Sequence, residues 1–407
     1  MGGSRLVPQP TVFVLFGATG DLAHRMVLPA FFTLAQQGLL PSDWRLIGNG
    51  RGDVSHEDFQ ARVKESLTEF GPQPEEGPWE EFRSRLRFAG GGFSSSDPGS
   101  LTKLLEEAEQ ELGGNPSRVF YLAVPPSAFG PLTEAIGAHS LTDRARAVYE
   151  KPFGTSLASF KVLDATVHKV FDEKDIFRID HFLGKEATQD IHVLRFANGL
   201  FASAWDAAHI DSVLIDVPET LDVGMRANFY DATGAVLDML VTHLFQLAGE
   251  VAMEPPATLD PEHIAAAREE VISCFRPLDR KEVVSGQYEG YREIPGVPPD
   301  SKTETFVAAR LWVDNERWAG VPFYLRTGKC LAKSCQKVSV VFKDPTNKLG
   351  GLPVEGNVVS FELSGLGQID LSLVVKEPGP EMTLTSGRAP LPLGKAFPLP
   401  GLPPYAR

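Results

Sequence analysis

The residue types best suited to proton transfer and phosphate binding are concentrated in one stretch, FRIDHFLGKE, at residues 177–186. Within it, Asp180, His181 and Lys185 place an acid and two potential cations inside six residues. This arrangement suits a phosphate pocket with a carboxylate that orients a base, although an Asp-His pair is also common on polar surfaces. A second stretch, EKPFG, places Lys151 in a loop after an apolar run, where it either meets a substrate oxygen or is simply solvated.

The segment GATGDLA, residues 17–23, has the composition of a loop that binds dinucleotide phosphates. The run VFVLF before it predicts a strand buried on both faces, and residues 26–40 have helical apolar spacing. Gly17 and Gly20 allow the backbone to approach phosphate oxygens closely at the start of a helix. Leu15 replaces the first glycine of the usual G-x-G-x-x-G, so a plain strand-to-helix turn is the alternative, but the strand–turn–helix order favours nucleotide binding. The candidate cofactor-binding residues are Gly17, Thr19, Gly20, Asp21 and Leu22.

The end of the second predicted strand indicates which dinucleotide is bound. An acid there would hold a ribose hydroxyl, whereas an arginine would hold the additional phosphate of NADP. The strand RLIG, residues 45–48, is followed by Asn49-Gly50-Arg51, and no acid occurs until Asp53. Arg51 is therefore the candidate ligand of the NADP phosphate, with a solvated surface arginine as the alternative.

Apolar runs alternate with helical patterns in the first part of the chain, which predicts a doubly wound parallel sheet. The later runs follow one another with few helices between them, which predicts a mainly antiparallel sheet. The expected fold is a Rossmann-like α/β domain over residues 1–179, followed by an α+β domain over residues 180–407. Helices are expected near residues 235–253 and 261–273, and an irregular tail is expected from residue 378, where Pro, Gly and Leu occur without periodicity.

The overall charge and the cysteines narrow the class of protein further. Lys and Arg number 39 against 53 Asp and Glu, and the net charge of −14 argues against a nucleic-acid-binding protein. Cys274, Cys330 and Cys335 lack the number and spacing of a disulfide framework or a metal site, and they indicate reduced thiols. The N-terminus lacks the apolar core of a signal peptide, and no apolar run approaches the length of a membrane span. We therefore expect a soluble, cytoplasmic protein with no metal, membrane or nucleic-acid partner.

Several of these segments occur in the same order in one known family. GATGDLA, EKPFG, RIDHFLGKE and VLRFAN, followed by DATGAVLDMLVTHLFQL and VPFYLRTGK, resemble the glucose-6-phosphate dehydrogenases, whose most specific segment is RIDHYLGKE. The resemblance extends from about residue 12 to residue 376. It implies oxidation of glucose 6-phosphate to 6-phosphogluconolactone with hydride transfer to NADP, the first step of the oxidative pentose phosphate pathway. It also implies a homodimer or homotetramer that uses the antiparallel sheet as its contact surface.

The resemblance assigns roles to individual residues. His243, in LVTHLFQL, matches the base that takes the proton of the anomeric hydroxyl, and histidine ionises in the pH range that suits this step. Asp180 matches the carboxylate that orients this histidine and stabilises its protonated form. Lys151 matches a lysine near the reacting sugar and the nicotinamide, and Arg51 matches the ligand of the NADP 2′-phosphate. The residues that match substrate ligands are His181, Lys185, Glu219, Asp238 and Lys329.

Some positions depart from the family pattern. Phe182 replaces the usual tyrosine, Met26 stands where a lysine near the cofactor phosphates is common, and Ser334 occupies the position of a further basic residue. The family also continues beyond its last matched strand, whereas this sequence ends at Arg407. Because each substitution removes a phosphate-binding group, two alternatives stay open. One is a related dehydrogenase acting on a different or unphosphorylated hexose, and the other is a catalytically impaired paralogue that binds the nucleotide.

Overall fold

The chain divides into two units, each built around one sheet. The computed structural model describes residues 9–50, 52, 54–345, 356–396, 402 and 404–406. The first unit comprises residues 1–180 together with 405–407, and the second comprises residues 181–404. Arg51, the candidate ligand of the NADP phosphate, lies outside the described residues.

The first unit contains a parallel six-stranded sheet. Its strands are β1 (Thr11–Phe16), β2 (Trp44–Asn49), β3 (Leu86–Ala89), β4 (Ser117–Leu122), β5 (Ala145–Tyr149) and β6 (Ile176–Arg178). They lie in the order β3-β2-β1-β4-β5-β6, so the direction of winding reverses between β1 and β4. Along β1, Val12 and Val14 belong to one hydrophobic core and Leu15 to another, as expected for a sheet packed on both faces. The predicted doubly wound α/β fold is confirmed.

Helices connect these strands. They are a π-helical turn at Ala23–Val27, α1 (Leu28–Gln36), α2 (His56–Phe70), α3 (Glu76–Ser84), α4 (Leu101–Glu111), α5 (Phe129–Ala138) and α6 (Leu157–Val167). The π-helical turn directly follows the Gly-rich loop and continues into α1. Ser55 caps α2 by accepting a hydrogen bond of 3.0 Å from the backbone N–H of Asp58, and Ser156 caps α6 in the same way.

The second unit contains an eight-stranded, mainly antiparallel sheet, which confirms the predicted α+β fold. Its strands are β7 (Ile210–Pro218), β8 (Val283–Gly286), β9 (Phe306–Leu311), β10 (Phe323–Gly328), β11 (Lys337–Phe342), β12 (Val358–Glu362), β13 (Gln368–Lys376) and β14 (Leu384–Pro392). They lie in the order β14-β13-β12-β11-β7-β10-β9-β8. Only β7 and β10 pair in parallel among the described strands of this sheet, so both strands end at the same edge.

One long helical segment, residues 227–252, packs against this sheet. It consists of α9 (Ala227–Ala235), a π-helical part (Val236–Leu244) and α10 (Phe245–Ala252). By length and composition it could cross a membrane, which the sequence analysis did not anticipate, but 67% of its most apolar window is buried inside the protein, as in a core helix. The other helices of the unit are α7 (Glu186–Ala197), α8 (Gly199–Ala202), α11 (Pro261–Ser273) and α12 (Leu393–Ala396).

The carbonyl groups at the end of α10 are held by two buried indoles. The Nε1–H of Trp205 donates to the carbonyl oxygen of Val251 at 3.0 Å, and that of Trp318 donates to Ala252 at 2.8 Å. Both tryptophans are completely buried. Because the last carbonyls of a helix have no partner within it, these bonds fix the C-terminal end of the segment.

The prediction of an irregular tail from residue 378 is wrong for residues 384–392, which form β14. Pro390 and Pro392 obscured this strand, but proline is tolerated at the edge of a sheet, and β14 pairs only with β13 among the described strands. The pairing is reinforced by Arg388, which donates to the Asp370 carboxylate at 3.0 and 2.5 Å. Burial would raise the pKa of Asp370, but the bonds from Arg388 and Gln368 outweigh it and lower that pKa.

Candidate functional site

The Gly-rich loop of the first unit is held tightly between neighbouring strands. Gly17 has a φ of 76°, and a Cβ at this position would lie 2.3 Å from the carbonyl oxygen of Ala123. Only glycine fits there, because any side chain would meet this carbonyl in an already unfavourable backbone conformation. The N–H groups of Gly17 and Ala18 donate to the carbonyl oxygen of Asn49 at 2.9 and 3.1 Å. The loop is therefore fixed to the ends of β2 and β4.

A pocket of 410 Å³ opens at this loop, at the carboxyl end of β1. It lies beside the point where the strand order reverses, which is where dinucleotides bind in doubly wound sheets. Because a backbone without side chains can approach a phosphate closely at a helix start, these residues fit the pyrophosphate of a dinucleotide. Arg62 of α2 is a cation in the lining that the sequence analysis did not single out. The lining consists of Ala18, Thr19, Gly20, Asp21, His24, Leu28, Arg62 and Glu65.

Lys151 follows β5 in a loop that a buried carboxylate stabilises. Glu150 accepts a hydrogen bond of 2.7 Å from the hydroxyl of Tyr121, and also a bond from the backbone N–H of Lys151. Burial raises the pKa of Glu150, these two bonds oppose the rise, and the negative charge of Asp180 adds to it. The Lys151–Pro152 peptide bond is cis. Sequence reasoning found Lys151 but missed Tyr121, which is one residue in an ordinary apolar strand.

His243 is completely buried in the second unit, on the π-helical part of the long segment. Its ring centroid lies 4.8 Å from that of His181 at an interplanar angle of 77°, and 4.6 Å from that of Phe182 at 33°. Asp238 is on the same π-helical part and is 7% exposed. In an α-helix two residues five apart would point about 140° away from each other. The i→i+5 bonding of a π-helix instead places Asp238 and His243 on nearly the same side.

Glu219 and Lys329 come from the ends of the two parallel strands. β7 ends at Pro218, which is in register with Gly328 at the end of β10. The next residues of both strands therefore meet, and Lys329 forms an ion pair with Glu219. The backbone supports this contact, because the N–H of Glu219 donates to the carbonyl oxygen of Gly328 at 2.9 Å. The sequence reasoning found both residues but not their pairing.

Tyr230, a residue of α9 in the helical segment, lies next to the Lys329 side of this ion pair. Lys329 Nζ lies 5.8 Å from the centroid of the Tyr230 ring, and this tyrosine is 4% exposed. Burial raises the pKa of Tyr230, and the negative charges of Asp238, Glu304 and Glu219 raise it further. The phenol therefore stays protonated and faces a group of carboxylates. Nothing in the spacing of Tyr230 distinguishes it from a core tyrosine, so sequence reasoning missed it.

Lys185 is bound by the residue before β11 and the residue after β12 in the second sheet. Its Nζ donates to Gln336 Oε1 at 2.7 Å and to the carbonyl oxygen of Leu363 at 3.1 Å. The same ammonium group lies 4.9 Å from the centroid of the Phe182 ring, a cation–π distance. Phe182 therefore still contacts Lys185 and His243, although it lacks the tyrosine hydroxyl. Ser334, the other departure in this unit, accepts a bond of 2.8 Å from the backbone N–H of Thr220.

The expected site residues fall into three groups by location. The loop residues, Lys151 and Asp180 are in the first unit. His181, Lys185 and His243 lie around Phe182 in the second unit, and Glu219, Asp238 and Lys329 lie around Tyr230. A doubly wound parallel sheet with a Gly-rich loop at its switch point, followed by a unit with a buried histidine and ionic side chains, is typical of NAD(P)-dependent oxidoreductases.

Comparison with known proteins specifies the family. Residues 14–190 match the model described as glucose-6-phosphate dehydrogenase, NAD binding domain, and residues 192–400 match that of the C-terminal domain. Glucose-6-phosphate 1-dehydrogenase of Rhizobium meliloti (strain 1021) is 38% identical over 400 residues, which cover 93% of this chain and 80% of the relative. The cytoplasmic isoform of Solanum tuberosum is 35% identical over 395 residues, which cover 94% and 77%.

A solved structure agrees with these sequence matches. It is described as glucose-6-phosphate dehydrogenase in complex with its substrate glucose-6-phosphate, and it superposes with a TM-score of 0.92 at 29% identity. The match covers 99% of this chain and 86% of that chain. The chain belongs to the glucose-6-phosphate dehydrogenase family, which comprises NADP-dependent oxidoreductases acting on a CH–OH group.

Proposed function

We propose that this chain oxidises glucose 6-phosphate to 6-phosphogluconolactone with NADP, as the first step of the oxidative pentose phosphate pathway. The observation that carries the proposal is a set of polar and aromatic side chains in the second unit, which includes the completely buried His243. Basic groups at both ends and carboxylates between them suit a phosphorylated sugar. The set consists of Lys185, Phe182, His243, Asp238, Tyr230, Glu219 and Lys329.

The proposed chemistry uses His243 as the base. Its imidazole takes the proton of the anomeric hydroxyl while the carbonyl of the lactone forms, and Asp180 stabilises the protonated ring. NADP, when bound, would supply the acceptor for the hydride of C1 of the sugar. The first unit is proposed to bind the dinucleotide through the Gly17–Leu22 loop, with Lys151 near the nicotinamide and Arg51 at the 2′-phosphate.

The second unit is proposed to bind the sugar. His181 and Lys185 donate to the phosphate, because charge-assisted bonds to phosphate oxygens are strong. Glu219 and Asp238 accept bonds from sugar hydroxyls, and Lys329 donates to the sugar.

The contact between Lys185 and Gln336 predicts how binding of the phosphate can be weakened. Gln336→Glu would place a carboxylate against the Lys185 ammonium group, so we expect the KM for glucose 6-phosphate to rise about tenfold, with kcat changed by less than about twofold. Steady-state kinetics measure both parameters. Gln60→Glu on α2 adds the same charge in the first unit and should leave this KM unchanged. An unaltered KM in Gln336→Glu would show that Lys185 does not bind the phosphate.

Absorbance at 340 nm tests the function directly. Glucose 6-phosphate or glucose is paired with NADP or NAD, and we expect rapid reduction with glucose 6-phosphate and NADP. Activity confined to unphosphorylated glucose would replace the substrate assignment by that of a sugar dehydrogenase. A folded protein that binds NADP but oxidises neither sugar would refute the proposal and identify an impaired paralogue.

We also propose that the chain forms a homodimer or homotetramer through its eight-stranded sheet. Leu214 and Tyr324, which are in register on β7 and β10, are 39% and 44% exposed, and large exposed apolar side chains on a sheet favour association. A molar mass in solution of two or four times the 44.3 kDa of the chain supports this assembly, and a value of one chain contradicts it. A cytoplasmic location is proposed because the Solanum tuberosum relative is named a cytoplasmic isoform.

A further inference from the structure

The helical segment that carries His243 is broken just before its π-helical part. Gly234 has φ 63° and ψ 179°, so the helix stops and begins again at Ala235. A Cβ at Gly234 would lie 2.3 Å from Glu304 Oε1 and 2.7 Å from Glu304 Cδ. The Glu304 carboxylate therefore occupies the space that a side chain at Gly234 would need, and the two residues form one junction.

Glu304 supplies two hydrogen-bond acceptors to the restarted helix. Its backbone carbonyl accepts from the N–H of Ala235 at 2.9 Å, and its Oε1 accepts from the N–H of Val236 at 3.0 Å. The first N–H groups of a helix have no partner within it, so these bonds fix its first turn. The negative charge also lies at the positive end of the helix dipole. No residue of the helix itself provides this cap in the described structure, because Ala235 precedes Val236 as N-cap.

The loop around Glu304 is itself fixed to the candidate substrate residues. Thr305, which is completely buried, accepts from the backbone N–H of Lys329 at 2.8 Å through its carbonyl oxygen. Before the break at Gly234, Asp231 of α9 accepts hydrogen bonds from the hydroxyls of Tyr291 and Ser301 at 3.0 and 2.5 Å. Residues 304 and 305 thus connect the start of the π-helical part to the strand end that bears Lys329.

We infer that Glu304 is a positioning residue for Asp238 and His243, an inference that rests on the function proposed above. Because the indole bonds of Trp205 and Trp318 fix the far end of the segment, Glu304 determines its position at the near end. Asp238 and His243 share one side only while the intervening residues keep π-helical bonding, which is less stable than α-helical bonding and needs support from both ends. Loss of the Glu304 cap lets the first turn relax and moves both side chains.

Substitutions at both sides of the junction test this inference. Glu304→Ala should lower kcat about tenfold and raise the KM for glucose 6-phosphate several-fold, because small displacements of a base and a binding group have large effects on rate. Glu304→Gln keeps the Oε1 acceptor and should recover most of this loss. Gly234→Ala should resemble Glu304→Ala, and the double variant should be scarcely worse than either single one, because both remove the same contact.

Two further measurements separate positioning from general stability and from the proposed function. The Cε1–H resonance of His243 in NMR, assigned with His243→Asn, depends on the ring current of Phe182 at 4.6 Å, so it should shift in Glu304→Ala and return in Glu304→Gln. This readout remains valid even if wild-type protein fails to oxidise glucose 6-phosphate, a result that would refute the function alone. Glu109→Ala, which breaks a largely buried ion pair with Arg118 in the first unit, should lower Tm without affecting kcat or this resonance.

The inference is overturned if Glu304→Ala behaves as Glu109→Ala does, with a lower Tm but unchanged kcat, KM and His243 resonance. It is equally overturned if Glu304→Gln is as impaired as Glu304→Ala. The hydrogen bond from Val236, which Gln can still accept, would then not be the contact that positions Asp238 and His243. Additive losses in the Gly234→Ala, Glu304→Ala double variant would contradict a shared junction.

Discussion

Replacing His243 with Asn is expected to lower kcat for glucose 6-phosphate oxidation about 10³-fold, while the affinity for the sugar changes little. Removal of a general base typically reduces the rate by about 10²–10⁴-fold. An amide can occupy the cavity between His181 and Phe182 but cannot take the proton of the anomeric hydroxyl at neutral pH. Pre-steady-state absorbance at 340 nm measures the rate of reduction, and calorimetric titration with glucose 6-phosphate measures binding.

His192 offers a matched control for this variant. It is also a histidine of the second unit, it is 6% exposed, and its ring contacts the Glu250 carboxylate. His192→Asn should lower Tm, because it disturbs a buried charged group, but should leave kcat close to that of the wild type. If His243→Asn retained a kcat near the wild-type value, another group would have to be the base.

Gly17→Ala is expected to weaken NADP binding about 100-fold and to reduce kcat/KM for NADP accordingly. The left-handed backbone at Gly17 disfavours a Cβ by about 1 kcal/mol. The larger effect is the contact at 2.3 Å with the Ala123 carbonyl, which must move the loop, the end of β4, or both. Since the loop is proposed to hold the pyrophosphate through its backbone, such a movement acts directly on cofactor binding. Titration with NADP, followed by tryptophan fluorescence, measures the change.

Gly38→Ala is the matched control, because it carries the same backbone strain without the contact. Gly38 has φ 64°, and a Cβ there meets no atom within 4 Å. It should lose about 1 kcal/mol of unfolding free energy and bind NADP as the wild type does. Equal NADP affinity in the two variants would indicate that the Gly17 loop does not bind the dinucleotide.

The part of the fold that could be predicted is the part whose strands are apolar and central. VFVLF became β1 because it is buried on both faces, and the runs KVSVVF and VVSFEL became β11 and β12. β8 and β14 were not predicted, and both lie at the edges of the second sheet. An edge strand needs no apolar pattern on both sides, and it tolerates Pro390 and Pro392.

Candidate site residues could be predicted only where the residue has an ionisable side chain or matches a family motif. Lys185 was found from its residue type and spacing and His243 through a family resemblance, whereas Tyr230, Gln336 and Glu304 were not found. These three act through contacts that depend on where distant strands end, and sequence spacing contains no information on such contacts. The π-helical part is a further example, because an α-helical reading of residues 235–253 would turn Asp238 away from His243.

The two substitutions in the second unit that depart from the family pattern, Phe182 and Ser334, make contacts that their residue types alone did not predict. Phe182 was expected to represent a lost hydroxyl, but its ring packs between Lys185 and His243. Ser334 was expected to represent a lost cation, but its hydroxyl bonds to the backbone of Thr220, next to Glu219. Phe182 therefore contacts two candidate site residues, and Ser334 contacts the residue next to a third.

The charged contacts of the second unit join distant parts of the chain. Lys329 and Glu219 are 110 positions apart, and Lys185 is 151 positions from Gln336 and 178 from Leu363. Contacts of such separation form slowly, because a long loop must close before they can contribute. During synthesis, Lys185 leaves the ribosome long before either of its acceptors exists. A nascent chain can therefore form residues 1–180 of its first unit early, but it completes the candidate sugar site only after β12 has been made.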